Sequence, residues 1–495
     1  MGVVIKQSFW GTFIAYFGVM IGYVNTLYLR PEFFSLDEIG LFTLVTANAM
    51  MISPLCTIGM NGAYIKYYPL FKDSKKLSSQ FFTFQFTLIL AANIVILTFA
   101  YLNKDWIISM FSKGSSAYVG YLTITAIIVV VNSLFDQFYV YSAARLKVIF
   151  PAFLREVFLR VGAILLVLGY AGGYFEFEWA IKGLAINYTL VLLLLFVHLL
   201  FFQKLKFNLS FSLINKEWRR KIFSFSIYSM AMAVTFAILN NVSYNQVSSI
   251  MGDAYNGILV TCFFIGVIVE MPRRNMAQVV SPLLSDTMAN DDMKETESLY
   301  KKSSITMSVI GFLLFIGIMT NLNDLFSFIP QGEEFSKGFG VVLAVCSAKA
   351  VLMLSSFAGE IINYSKFYKY NLVFQVLAAG FLIVINYLLI PIYGLNGVAI
   401  AYFATTLLHS IAKNLFVYVH FRIHPFMRSH VRLFVVSAFV LVGFYFFSTS
   451  LNPFFTIIIR SVLTTLVFVF LVYKLKISND INRLADSVIN RFKAT

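Results

Sequence analysis

The sequence predicts an all-α polytopic membrane protein of about fourteen spanning helices, built as two pseudo-symmetric six-helix lobes plus two C-terminal helices. Three observations lead there. Of 495 residues, 59% are hydrophobic and only 12% charged, whereas soluble domains carry about a quarter of charged residues. Mainly apolar segments of about 20 residues, the length that crosses a hydrocarbon core, recur along nearly the whole chain. Short matches also repeat at a near-constant offset. Gly183-Leu-Ala-Ile-Asn-Tyr188 and Gly397-Val-Ala-Ile-Ala-Tyr402 lie 214 residues apart, and Asn25-x-x-Tyr28 and Asn241-x-x-Tyr244 lie 216 apart. Six spans per repeat is an even number, so both copies start on the same membrane side, related by an axis along the membrane normal. A transmembrane barrel needs alternating segments of about 10 residues, and none dominate.

In chain order the spans fall near 8–30, 39–64, 81–101, 118–142, 152–171, 180–202, 222–248, 254–284, 303–322, 338–360, 370–390, 397–420, 432–450 and 455–473. The first lobe is 1–203, the cytoplasmic inter-lobe loop 204–221 and the second lobe 222–421. Residues 432–473 form the last two spans, and 474–495 a tail. The first span follows Lys6 with no small-residue cleavage site, and reads as retained. One set of loops collects the basic residues: Lys66, Lys72, Lys75 and Lys76; Arg145, Lys147 and Arg155; the run Lys204 to Lys221; Lys294, Lys301 and Lys302; Lys366 and Lys369; Arg422, Arg428 and Arg432. The other set holds little beyond Arg30, Lys104, Lys113 and Lys337. By the positive-inside rule both termini are cytoplasmic. The net charge of +15 follows from those loops, so no nucleic-acid partner is expected. In the tail, Ile477, Ile481, Leu484, Val488 and Ile489 recur at helical spacing among Lys and Arg. That suits an amphipathic helix on the membrane surface, or a solvated tail. Cys56, Cys262 and Cys346 sit in apolar segments with no CxxC pair, so neither a disulfide framework nor a metal site is expected.

The stretch Ala254–Ser285 is unusual, because Glu270, Arg273 and Arg274 follow its apolar half with no break in the pattern. A charge at the bilayer centre costs roughly 2.5–3.5 kcal/mol on insertion scales and usually faces protein or water. Pro272 and Pro282 each remove a backbone donor and kink a helix that neighbours surround. Two readings stand: a helix lining a polar cavity, or one that ends near Pro272 with its charges among headgroups. Lys349, mid-way along the tenth span, either faces a cavity or forms an internal ion pair. Arg160 lies several residues into the fifth span, while Arg145 and Lys66 lie at cytoplasmic ends. Arg30, at an outer end, breaks the orientation rule. Asp136, Glu270 and Glu360 either pair with these cations or carry a coupling proton or sodium ion. Lys413 lies where snorkelling is easy, and Arg460, in the last span, is placed to touch lipid phosphate.

The intramembrane set thus favours cations: Arg160, Arg273, Arg274 and Lys349 against Asp136, Glu270 and Glu360, with Lys66 and Arg145 at the edge. Such a cavity suits an anionic passenger, above all a phosphate gripped by arginine forks. Tyrosines and asparagines along the spans suit sugar hydroxyls, or serve helix contacts. No Walker loop, GxSxG or metal-binding His pair is present, and the outer loops are too short to fold a catalytic domain. No enzyme is expected.

Several motifs carry a family likeness. Ser35-Leu-Asp-Glu-Ile-Gly-Leu-Phe42 resembles the S-x-x-E-x-G-L-F/Y start of the second span of polysaccharide flippases. Gly59-Met-Asn-Gly-Ala-Tyr-Ile-Lys-Tyr-Tyr-Pro69 is similar to the exit of that span. Gly332-Glu-Glu-Phe335 and Ile392-Tyr-Gly-Leu-Asn-Gly-Val-Ala-Ile400 also fit. The chain resembles the Wzx-type oligosaccharide flippases of the MOP superfamily, relatives of lipid II flippases and MATE exporters. The resemblance implies a MATE/MOP-like fold in a bacterial inner membrane. It also implies that an undecaprenyl-diphosphate-linked oligosaccharide is flipped outward by alternating access, alongside polysaccharide-assembly enzymes. The prenyl tail stays among membrane lipids, since each buried CH₂ is worth about 0.8 kcal/mol. Arg160, Arg273, Arg274 and Lys349 would hold the diphosphate, with Lys66 and Arg30 as further cations. No cofactor beyond a coupling Na⁺ or H⁺ is expected. The alternatives are a cation-coupled exporter of small molecules, although the first span lacks the acid common in MATE exporters, and a non-transporting scaffold for glycan assembly.

Overall fold

The structure, a computed structural model, describes residues 2–111, 114–210, 216–447, 452–483 and 486. These residues are mostly helical, with no strand among them. Eleven helices are long and apolar enough to cross a membrane. They are α2 (Leu36–Cys56), α3 (Lys75–Leu102), α4 (Leu122–Ala143), α6 (Phe177–Phe202), α7 (Lys216–Met251), α8 (253–289), α9 (Met293–Phe328), α11 (Tyr368–Tyr393), α12 (Leu395–Phe421), α13 (Arg428–Tyr445) and α14 (Pro453–Lys474). The chain is a multi-pass membrane protein. Three further apolar helices are short or interrupted: α1 (2–33), with a π-helical turn at Val24–Leu29; α5 (149–171), with another at Leu154–Phe158; and α10 (Phe339–Ser355). This is compatible with fourteen spans. The second expected span is two pieces, because Pro54 lacks a donor near the end of α2 and Ile58 and Gly59 turn left-handed. The chain resumes as Met60–Phe71. A Cβ on Gly59 would meet the Ser226 carbonyl at 1.9 Å, so glycine is required there.

Two compact units make up the chain, Met1–Val260 and Thr261–Thr495, dividing within α8. In the first, Tyr64, Phe81, Phe82, Phe138 and Tyr141 form an aromatic core between the Met60–Phe71 helix, α3 and α4. Arg145 closes its end, donating to the Tyr64 hydroxyl at 2.9 Å, the Tyr141 carbonyl at 3.0 Å and Ser78 Oγ at 3.0 Å. Lys66 is exposed, 3.8 Å above the Phe225 ring on α7. The first turn of α8 is tied both to α2 and to the segment before α4. Asn256 Nδ2 donates to the Gly40 carbonyl, and Ser115 Oγ donates to Asp253 Oδ2 at 2.7 Å.

In the second unit, α13 and α14 pack on α9 through Ile305, Val309, Ile316, Leu433, Val436, Phe468 and Val472. Arg460 does not reach lipid phosphate. It is 6% exposed and donates to Asp324 Oδ2 at 2.5 Å, the Thr320 carbonyl at 2.7 Å and the Phe447 carbonyl at 2.6 Å. A guanidinium placed in an apolar helix finds acceptors on its neighbours, because lipid offers none. In the tail, Ile477 is buried against the same cluster, with Ile481 packed beside it; Leu484, Val488 and Ile489 lie outside the described residues.

Candidate functional site

Charges gather at one place in each unit. In the first, α5 enters at Pro151 and widens into the π turn Leu154–Phe158, which carries Arg155 and Glu156. A π turn leaves backbone groups out of register, and such turns are frequent at functional sites. Asn187 Nδ2 on α6 donates to the Leu159 carbonyl at 2.9 Å, seating the buried Tyr188 beside the turn. Tyr188 lies within electrostatic reach of Arg155, Arg30, Asp136 and Arg160. Arg155 Nη1 meets Asp136 Oδ1 at 2.9 Å, and Arg160 Nη2 donates to Glu156 Oε2 at 2.9 Å. Arg30 lies over the Phe42 ring, 4.5 Å from its centroid. Among the described residues, Arg30 Nε and Arg160 Nη1 are buried with no acceptor. Beside the cluster lies a small, mainly apolar cleft with room for about one water, lined by Met50, Asn132, Phe135, Arg155, Leu159 and Tyr188, with Val131 and Val191.

In the second unit, α8 does not end near Pro272. It tightens through a 3₁₀ turn at Ile268–Glu270 and continues as Met271–Ala289, with Pro272 in the first turn, where its missing donor costs nothing. Gly266 lets α10 approach, since a Cβ there would lie 2.4 Å from Val345. Lys349 is 6% exposed and its Nζ donates to Glu270 Oε2 at 2.5 Å, with the Tyr402 ring centroid 5.8 Å away. Of the two readings for Lys349, this geometry is the internal ion pair. Arg273 Nη2 donates to both oxygens of Glu360, at 3.0 and 3.1 Å, and its Nε to the Ser356 carbonyl at 3.1 Å. Arg274 is 58% exposed, 3.8 Å from Glu270 Oε1. Lys413, whose Nζ lies near Gly359, is within electrostatic reach of Glu360 and Arg273.

The structure therefore brings Arg30, Arg160 and Asp136 together in one unit, and Glu270, Arg273, Arg274, Lys349 and Glu360 in the other. Lys66 stands apart at the Phe225 ring. Arg155 is a residue that reading the sequence as loops and spans misplaces, because its charge resembles that of a cytoplasmic loop. The signal that finds it is the repeated motif: Tyr188 and Tyr402 hold the same place in the two copies, and each sits beside a cation of its own unit. Cations outnumber acids in both clusters, three to two and four to two.

No family model matches the sequence, and no curated protein does. Solved structures do match. The chain is similar to the lipid II flippase MurJ in an inward closed conformation, with a TM-score of 0.77 at 15% identity over 94% of this chain and 98% of that one. An inward-facing multidrug resistance MATE family transporter of the MOP superfamily matches at 0.62 and 13% identity, over 83% and 94%. A MOP superfamily transporter from Pyrococcus furiosus matches at 0.57 and 13%, over 85% and 95%. These likenesses define the class of fold, that of the MOP superfamily. Within that class, the fold is the one seen in MurJ and in MATE transporters.

Proposed function

We propose that the chain is a transporter that flips an undecaprenyl-diphosphate-linked oligosaccharide from the cytoplasmic to the outer leaflet by alternating access, for surface polysaccharide synthesis. The observation that carries this reading is the pair of buried guanidinium N–H groups without an acceptor, on Arg30 and Arg160, two side chains within electrostatic reach of Tyr188. A buried guanidinium N–H is completed by a ligand or by water; Arg460 Nε in the second unit is a further such donor, but it stands alone, whereas Arg30 and Arg160 share a neighbourhood. A diphosphate presents oxygens that arginine forks fit. The excess of cations in each cluster supports an anionic passenger; Arg274 and Lys66 are further contacts, Arg273 and Lys349 hold Glu360 and Glu270 in structural pairs, and Asp136, Glu270 and Glu360 are charge partners or coupling sites. The MOP fold supports a carrier over a scaffold. In this reading the protein sits in a bacterial inner membrane with both termini cytoplasmic, hands its cargo to polysaccharide-assembly enzymes and needs no cofactor beyond a coupling Na⁺ or H⁺. The alternative, a cation-coupled exporter of small molecules, calls for an apolar, acid-lined cavity, opposite to the cation excess of both clusters. Proteoliposomes loaded with a defined lipid-linked oligosaccharide test the proposal: purified protein should expose the sugar to an outside lectin, and no movement of the sugar would refute it.

A further inference from the structure

We infer that Asp136 is a resident counter-anion, holding the Arg155 guanidinium where an arriving diphosphate docks and giving way to it. The inference rests on the flippase reading and assigns a role within the same cluster. Three arginine–carboxylate pairs in the chain show the contrast. Arg273 makes two contacts to Glu360 and one to a carbonyl, and Arg460 fixes Asp324 while donating to two carbonyls. Both read as structural clamps. Arg155 and Asp136 share one contact at 2.9 Å, their side chains are 36% and 24% exposed, and Arg155 lines the cleft. A pair joined by one contact and part-exposed is held less firmly than a clamp with several, so a ligand with more charge and more oxygens displaces the carboxylate readily.

The surroundings fit an exchange. Arg155 lies 5.7 and 5.8 Å from the Phe135 and Tyr139 rings on α4, which flank the guanidinium without binding it through hydrogen bonds. Its other neighbours are Glu156, already paired with Arg160, and the Tyr188 hydroxyl. Among the described residues, the other carboxylate within reach of Arg155 is thus Glu156, which Arg160 already holds. The carboxylate that yields to the diphosphate also competes for the arginine afterwards and drives release. A carrier needs both halves of that competition, since a site that only binds does not turn over.

Inorganic pyrophosphate titrated by calorimetry into the purified full chain tests this. Asp136→Asn should bind about 5- to 10-fold more tightly than wild type, and the gain should vanish in Asp136→Asn/Arg155→Gln. In proteoliposomes the same Asp136→Asn should flip more slowly, because release is delayed. Unchanged or weaker pyrophosphate binding by a folded Asp136→Asn protein would overturn the inference, as would a gain that survives loss of Arg155. Should that variant not fold, infrared difference spectra of wild type serve instead: pyrophosphate should move a carboxylate band to the position of an unpaired carboxylate, and no shift would overturn the inference. Failure here leaves lectin-detected flipping by wild type intact, whereas failure of the flippase reading abolishes that signal whatever the pyrophosphate affinities.

Discussion

Arg160 holds one guanidinium N–H against Glu156 and leaves another buried without an acceptor. A hydrogen bond to a charged group contributes about 1.5–3 kcal/mol. Arg160→Gln should therefore cut flipping roughly 10- to 100-fold while membrane insertion and melting temperature stay near wild type, as lectin accessibility and thermal unfolding will show. Lys349 behaves otherwise. It is the buried half of a pair with Glu270, and breaking such a pair from one side costs about 3–5 kcal/mol, whereas removing both charges is often neutral. Lys349→Met should lower the melting temperature markedly, and Glu270→Gln/Lys349→Met should restore most of it. A double variant as unstable as the single would show that the pair is not the source of the loss. The depth of Lys349 was legible in the sequence, since AVCSA and AVLMLSS flank it; its partner was not, because Glu270 lies 79 residues away on another helix. Arg155 shows the reverse, a charge whose position looked like a loop and whose acid partner gave it a different meaning.

The charged cluster of the first unit depends on two helices that both carry π turns. A Cβ on Gly18 of α1 would lie 2.3 Å from the carbonyl oxygen of Glu156, inside the π turn of α5. Gly18→Ala must push that turn away and should lower flipping while leaving Arg145 and its aromatic core undisturbed, which cysteine accessibility at 155 against 145 will separate. Hydropathy places α1 and α5 correctly but cannot show such turns, because one inserted residue does not change the apolar pattern. The α7–α8 corner is as tight. A Cβ on Gly40 would lie 2.0 Å from the Asp253 carbonyl oxygen, and one on Gly257 2.3 Å from that of Leu36. Overpacking of this kind costs about 1–3 kcal/mol. Gly40→Ala should reduce disulfide formation between cysteines placed at 115 and 253, and unchanged cross-linking would argue that the corner is not held by this contact. The Ser35 capping box that starts α2, with Glu38 as its third residue, was readable as the S-x-x-E motif.

At the scale of the chain, apolar runs were enough to expect a polytopic helical protein, and the helices follow the expected order. The boundary between compact units was not readable from hydropathy: it falls within α8, because α7 packs on α2 and on the Met60–Phe71 helix. By the positive-inside rule the basic loops are expected to lie in the cytoplasm with both termini; on that reading, cysteines at positions 3 and 476 should react only after the inner face is opened to an impermeant reagent. What links these scales is an excess of cations over acids inside apolar helices, which makes sense if the passenger brings the missing negative charge. Flipping of a lipid-linked oligosaccharide by purified protein, compared with the same oligosaccharide on a neutral lipid anchor, tests that most directly. The diphosphate-linked cargo should cross at least tenfold faster and lose the advantage in an Arg155→Gln/Arg160→Gln protein; equal rates for both anchors would contradict a cationic path for the diphosphate.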